Sequence, residues 1–119
     1  MAQVEIFAGR RVLVCDPEGP PLAGDRHAGD LVGEALGAGA EVVAIPTARV
    51  TPAFFDLRTG LAGAVLQKFV NYRLVPVIVG DIGAELARSS ALRDFVRESN
   101  RGQTVWFVAG LDELRARLG

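Results

Sequence analysis

The sequence predicts one α/β domain over residues 1–119, a mostly parallel central sheet with helices packed on it. Three observations predict this class. Two short apolar runs, residues 4–8 and 11–15, flank a Gly9-Arg10 turn, which reads as an opening β-hairpin. After the hairpin, apolar runs of strand length alternate with stretches of helical periodicity, the order that parallel strands joined by crossover helices produce. Finally, Leu57, Leu61, Ala62, Val65, Leu66, Phe69 and Val70 fall three and four apart and make one stripe down a helix that must face a core.

Each element has a local reason. Val4, Ile6 and Ala8 alternate with their neighbours, as in a strand with one buried face. Pro17, Pro20 and Pro21 stop the second strand, because proline cannot donate to a ladder. Asp25 is the expected cap of a helix carrying Ala28, Leu31, Val32, Ala35 and Leu36 at helical spacing, ended by Gly37 and Gly39. Residues 41–45 form an almost wholly apolar run before Pro46, the pattern of a strand buried on both faces. Thr51-Pro52 has the order that opens a helical turn. The striped helix, read as the longest, runs to about Arg73, and residues 75–80 are the next strand, with Pro76 at its start. Ser89 or Ser90 caps a helix that turns Leu92, Phe95 and Val96 inward and closes at Asn100-Arg101-Gly102. Residues 104–108 are the last strand. Leu111, Leu114 and Leu118 mark a terminal helix whose acidic start and basic end match the helix dipole.

Composition narrows the function. Thirteen basic residues against fourteen acidic ones leave no basic excess, which argues against nucleic-acid binding. No apolar stretch reaches membrane-spanning length and the first residues lack a signal-peptide pattern, so a soluble cytoplasmic protein is expected. Cys15 is the single cysteine, so no internal disulfide forms. Lys68 is the single lysine among many arginines, alanines and glycines, a bias of GC-rich bacterial genomes.

The element order, together with Asp56-Leu57-Arg58-Thr59-Gly60-Leu61 at the head of a helix, resembles the STAS domains, the fold of sulfate transporters and anti-sigma-factor antagonists. In those proteins an Asp-Ser-Ser-Gly-Leu segment takes this place, and its second serine accepts phosphate. The resemblance implies that Asp56 matches the aspartate, Thr59 the acceptor, and Gly60 and Leu61 the next two positions. Leu57-Arg58 stand where the family has one serine. A second resemblance rests on residues 54–63, 66–73, 79–81 and 95–100. These runs are similar to the uncharacterised bacterial family known as domain of unknown function 4180, over about the last two-thirds of the chain. That family brings no activity with it.

The candidate site is therefore the Asp56–Gly63 segment. Thr59 is either a backbone cap or a phosphoacceptor. Asp56, Arg58, Gly60 and Gly63 would then contact a protein partner, a kinase or an anti-sigma-like regulator. Alternatively, they hold a small molecule or anion at the helix N-terminus. Close helix–sheet packing is the plainer reason for the two glycines. No Gly-Lys-Ser/Thr follows them, so a nucleotide triphosphate loop is not supported. Asp81 follows a strand, where α/β sheets bind ligands, or it caps the next turn. A phospho-receiver is rejected, because Ala109-Gly110 follow the last strand where a lysine is required. Lys68, Asn71, Tyr72 and Arg73 form either a recognition patch or a solvated helix end. His27 and Cys15 have no metal-ligand spacing, and no nucleophile–base pair is visible. An enzyme, a metal and a cofactor are not expected. The hairpin leaves a sheet edge that a second copy could cover, giving a homodimer.

Overall fold

The computed structural model describes residues 2–119. Its sheet has five strands in the order β1 (Gln3–Phe7), β2 (Arg10–Val14), β3 (Val42–Pro46), β4 (Val75–Val79) and β5 (Trp106–Val108). β1 and β2 are antiparallel; the other neighbours are parallel. The hairpin turn is Ala8-Gly9, one residue earlier than the sequence suggests, with both residues at positive φ (52° and 80°). That geometry matches strand twist in a two-residue hairpin.

Six helices pack on this sheet: α1 (Asp25–Gly37), α2 (Pro52–Phe55), α3 (Leu61–Asn71), α4 (Gly83–Arg88), α5 (Ser90–Arg101) and α6 (Leu111–Leu118). From β2 to β5 the strands are laid down in one direction. Right-handed crossovers in one direction put every crossover helix on the same face. There Leu13, Val43, Ile45, Ile78 and Phe107 of the sheet join Leu31, Ala35, Val65, Leu66 and Phe69 in one core. The opposite face falls to α6, whose Leu114 is fully buried among Phe7, Val12, Val42, Ala44, Val77 and Trp106. β3 thus buries both faces, as its apolar run requires.

α3 buries Ala62, Val65, Leu66 and Phe69, with Leu61 and Val70 at the margin. It is shorter than expected, eleven residues against thirteen for α1, because the chain before it folds separately as α2 and a 3-10 turn at Leu57–Thr59. It ends in a Schellman turn: Leu74 N–H donates to Phe69 O (3.0 Å) and Arg73 N–H to Val70 O (2.9 Å), with Arg73 at φ 61°. Asp25 does not cap α1. The cap position is Gly24, and the Asp25 carboxylate instead takes Lys68 Nζ at 3.0 Å, tying α1 to α3.

Pro76 sits inside β4 without losing a bond. Val75 N–H points to β3 and Gly80 N–H to β5, so even-numbered residues here face β5. The β5 ladder begins opposite Val77, just beyond Pro76. At the far edge, the Asn100 side chain pairs with the backbone of Phe107, accepting its N–H at 2.8 Å and donating to its carbonyl at 3.1 Å. A helix side chain thereby stands in for a sixth strand.

Candidate functional site

An open cleft of about 840 Å³ lies at the carboxyl ends of β3 and β4. Strand order does not reverse there, so it is no topological switch point. The room comes from connection length. β3 reaches α3 only through the 3-10 turn Thr47–Arg49, then α2, then Leu57–Thr59. β4 reaches α5 through α4. The two main crossover helices therefore start late, and the short elements before them form two walls.

One wall is Pro52, Phe55, Asp56, Leu57 and Arg58; the other is Ile82, Glu85, Arg88, Ser89 and Ala91. Thr47, Ala48, Val50, Thr51 and Asp81 complete the lining. Gly80 lets the two connections meet. Its φ is +146°, and a Cβ there would lie 2.5 Å from Thr47 Oγ1, so no side chain fits. Thr51 Oγ1 is buried and, among the described residues, has no hydrogen-bond partner, although Thr51 occupies the cap position of α2. An orphan buried hydroxyl costs about 1–3 kcal/mol, so its place on a cleft wall is notable.

The cleft sets the apolar side chains of Phe55, Leu57 and Ile82 among side chains of both charges. Asp56 receives a bidentate pair from Arg58, Nε to Oδ1 and Nη2 to Oδ2, both 3.1 Å, and also the Arg58 N–H at 3.2 Å. The Arg58 guanidinium, and after it the Arg58 backbone N–H, hold the Asp56 carboxyl below the usual carboxylate range. Asp56 in turn pushes Arg58 up. With the Arg58 side chain 90% exposed, the pair adds little stability. Arg88 approaches Glu85 at 3.8 Å across an exposed helical turn. Asp81 Oδ1 accepts the Gly83 N–H at 2.8 Å and so starts α4. Ser89 Oγ accepts the Leu92 N–H at 3.1 Å and caps α5.

Of the residues singled out in the sequence, Asp56, Arg58 and Asp81 come together in this cleft, whereas Thr59, Gly60 and Gly63 do not line it. Thr59 Oγ1 shares its proton between the carbonyls of Ala53 and Asp56, each 2.8 Å away, and accepts the Leu61 N–H at 3.2 Å. The side chain is exposed but its hydroxyl is fully engaged by backbone, a lock joining α2, the 3-10 turn and α3. The glycines do not serve close packing: a Cβ on either would meet nothing within 4 Å. Gly60 is needed for its left-handed φ of +75°, which lets the 3-10 turn end and α3 begin on the same residue. Lys68 is engaged by Asp25 and Asn71 by Gln67, leaving Tyr72 and Arg73 exposed at the helix end.

Residues 47, 51, 85 and 88 escaped the sequence reading. Thr47 and Thr51 carry a signal in hindsight, since both follow the buried strand at its carboxyl end. Glu85 and Arg88 carry none, since α4 is too short for periodicity. A second anchor was also missed. Arg49 is buried and donates from Nε to Pro20 O (2.6 Å) and from Nη1 to Asp16 O (2.9 Å), holding the loop after β2 against the end of β3. Cys15 lies beneath it, and burial pushes its thiol up to about 12.

The chain belongs to the family described as domain of unknown function 4180 (DUF4180), whose pattern matches residues 7–118. No curated protein and no solved structure matches it significantly.

Proposed function

We propose that this domain binds a small polar molecule in the cleft between α2 and α4. One observation carries the reading: the wide opening at the strand ends is lined by both charge types and by a buried Thr51 hydroxyl that lacks a partner among the described residues. Sites of this size with a few convergent polar groups in an otherwise partly apolar wall suit small ligands. Phe55, Leu57 and Ile82 supply the apolar contact; Asp56, Glu85, Arg58 and Arg88 supply charge. The engagement of Thr59 in backbone bonds supports a site at the strand ends over one at the start of α3.

The test is a thermal-shift panel of inorganic phosphate, small carboxylic acids and amino acids against the wild type and a Glu85→Ala, Arg88→Ala double variant. Both side chains are surface-exposed or partly so, and their removal leaves the core intact. A probe that stabilises the wild type and loses its effect on the variant supports the reading. A panel with no stabilising probe, or shifts unchanged in the variant, overturns it.

A second reading keeps the regulatory module suggested by the STAS resemblance, with Asp56–Gly63 facing a protein partner and Thr59 modified. It is favoured by the exposure of Arg58, Thr59, Gly60 and Gly63 along one segment. A phosphate on Thr59 would add roughly −1.5 to −2 charge beside two carbonyls that now accept its proton, and would open the turn. Incubation with cell extract and labelled ATP, read by mass spectrometry at Thr59, decides it: an unmodified Thr59 ends the switch.

A further inference from the structure

The two edges of the sheet are treated differently. β5 is three residues long and its outer backbone is taken by Asn100. β1 has five residues, no proline, no lysine and no bulge. The one charge on it, Glu5, points to the α6 face, where Arg115 approaches at 3.7 Å. Of the devices that blunt an edge, β1 thus carries one inward-pointing charge and lacks proline, lysine and bulge, whereas β5 is both short and covered.

Which backbone groups are free follows from the ladder. Arg11 O accepts from Glu41 N and Cys15 N donates to Ala44 O, so odd residues of this stretch face β3. Arg10, Val12 and Val14 must then face β1, where their register partners are Phe7, Glu5 and Gln3. The N–H and C=O groups of Val4 and Ile6 are left pointing outward. The side chains of these same residues are the exposed apolar ones, Ile6 at 58% and Val4 at 37%.

We propose that two copies of this chain pair antiparallel through β1, with a two-fold axis at Val4, so that the sheet continues across both. An isologous strand edge is self-complementary by symmetry, and parity admits only registers that set even residues opposite even ones. An axis at Glu5 sets the two Glu5 carboxylates directly opposite each other, which is destabilising. An axis at Val4 sets Glu5 opposite the second copy's Gln3, an amide that can donate to it. It also sets Ile6 opposite the second copy's Ala2, and Val4 opposite itself, joining the apolar stripes on one face. This assembly is independent of ligand binding in the cleft.

Sedimentation equilibrium and oxidative cross-linking test it. The expected wild type is a dimer whose melting temperature rises with protein concentration, and Ile6→Lys is a monomer with unchanged circular dichroism and a melting temperature independent of concentration, because residue 6 is exposed in the single chain. Val4→Cys should form an intermolecular disulfide, since facing hydrogen-bonded residues have Cα atoms about 5.5 Å apart; Glu5→Cys should not. A wild type that stays monomeric up to its solubility limit, or an Ile6→Lys protein that remains dimeric, overturns the proposal. So does cross-linking through Glu5→Cys in place of Val4→Cys.

Discussion

Replacing Thr51 by valine should have effects of opposite sign on stability and on binding. Thr51 holds extended backbone (φ −91°, ψ 162°), which a β-branched valine also favours. The two side chains are nearly the same shape, so no cavity opens. What changes is a buried hydroxyl without a protein partner among the described residues. Removing an unsatisfied group of that kind should return about 1–2 kcal/mol, within the 1–3 kcal/mol range for such burial. At this chain length, that corresponds to a rise of roughly 3–8 °C in melting temperature. Urea denaturation gives the more direct value, since an unchanged slope with a higher midpoint isolates stability. For the probe with the largest thermal shift, affinity should meanwhile fall roughly 3–10-fold, the worth of one neutral hydrogen bond. A Thr51→Val protein less stable than wild type by about 1 kcal/mol or more would refute the reasoning, because the hydroxyl would then be satisfied.

Thr59→Val keeps the shape at residue 59 but removes a donor shared by two carbonyls and the acceptor for Leu61 N–H, so urea unfolding should show a loss of about 1 kcal/mol. Gly33 lies exposed inside α1 with nothing within 4 Å of an added Cβ, so Gly33→Ala should stabilise by about 0.5–1 kcal/mol in the same assay. Cys15 should resist thiol reagents at pH 8 in the native protein and react at once in denaturant, since it is 3% exposed. Its raised pKa also sets a sign. The unfolded thiol ionises near 9.0 and the folded one at about 12, so its contribution is fully present below 9.0. Between those values it declines, by up to about 1.4 kcal/mol per pH unit; Cys15→Ala should flatten stability there.

The architecture was legible because long-range physics wrote it into short patterns. The two-faced run at residues 41–45 had to be a central strand, found at Val42–Pro46, and the stripe from Leu61 to Val70 had to lie on a sheet. Both did. Short elements were less legible. α2 and α4 have four and six residues, too few for periodicity to separate them from loop, and together they make the cleft walls. The cap of α1 was misassigned because Asp25 has a better partner in Lys68, forty-three residues away, which local pattern cannot reveal. The reading of Gly60 and Gly63 failed for a related reason. Glycine can mark close approach or positive φ; Gly60 has the second and Gly63 neither, which the sequence does not reveal. Asp56, Arg58 and Asp81 were singled out because each sits where a strand or helix begins or ends. Thr51 was not, because nothing local reveals that a hydroxyl lacks a partner.

The most direct test of the cleft is amide chemical-shift mapping with the best probe from the thermal-shift panel. The account predicts saturable shifts at Thr47, Thr51, Asp56, Asp81 and Glu85, with the outer face of α6 silent. Shifts centred on Gly60 and Gly63 at the start of α3, or spread without saturation over the surface, would contradict it.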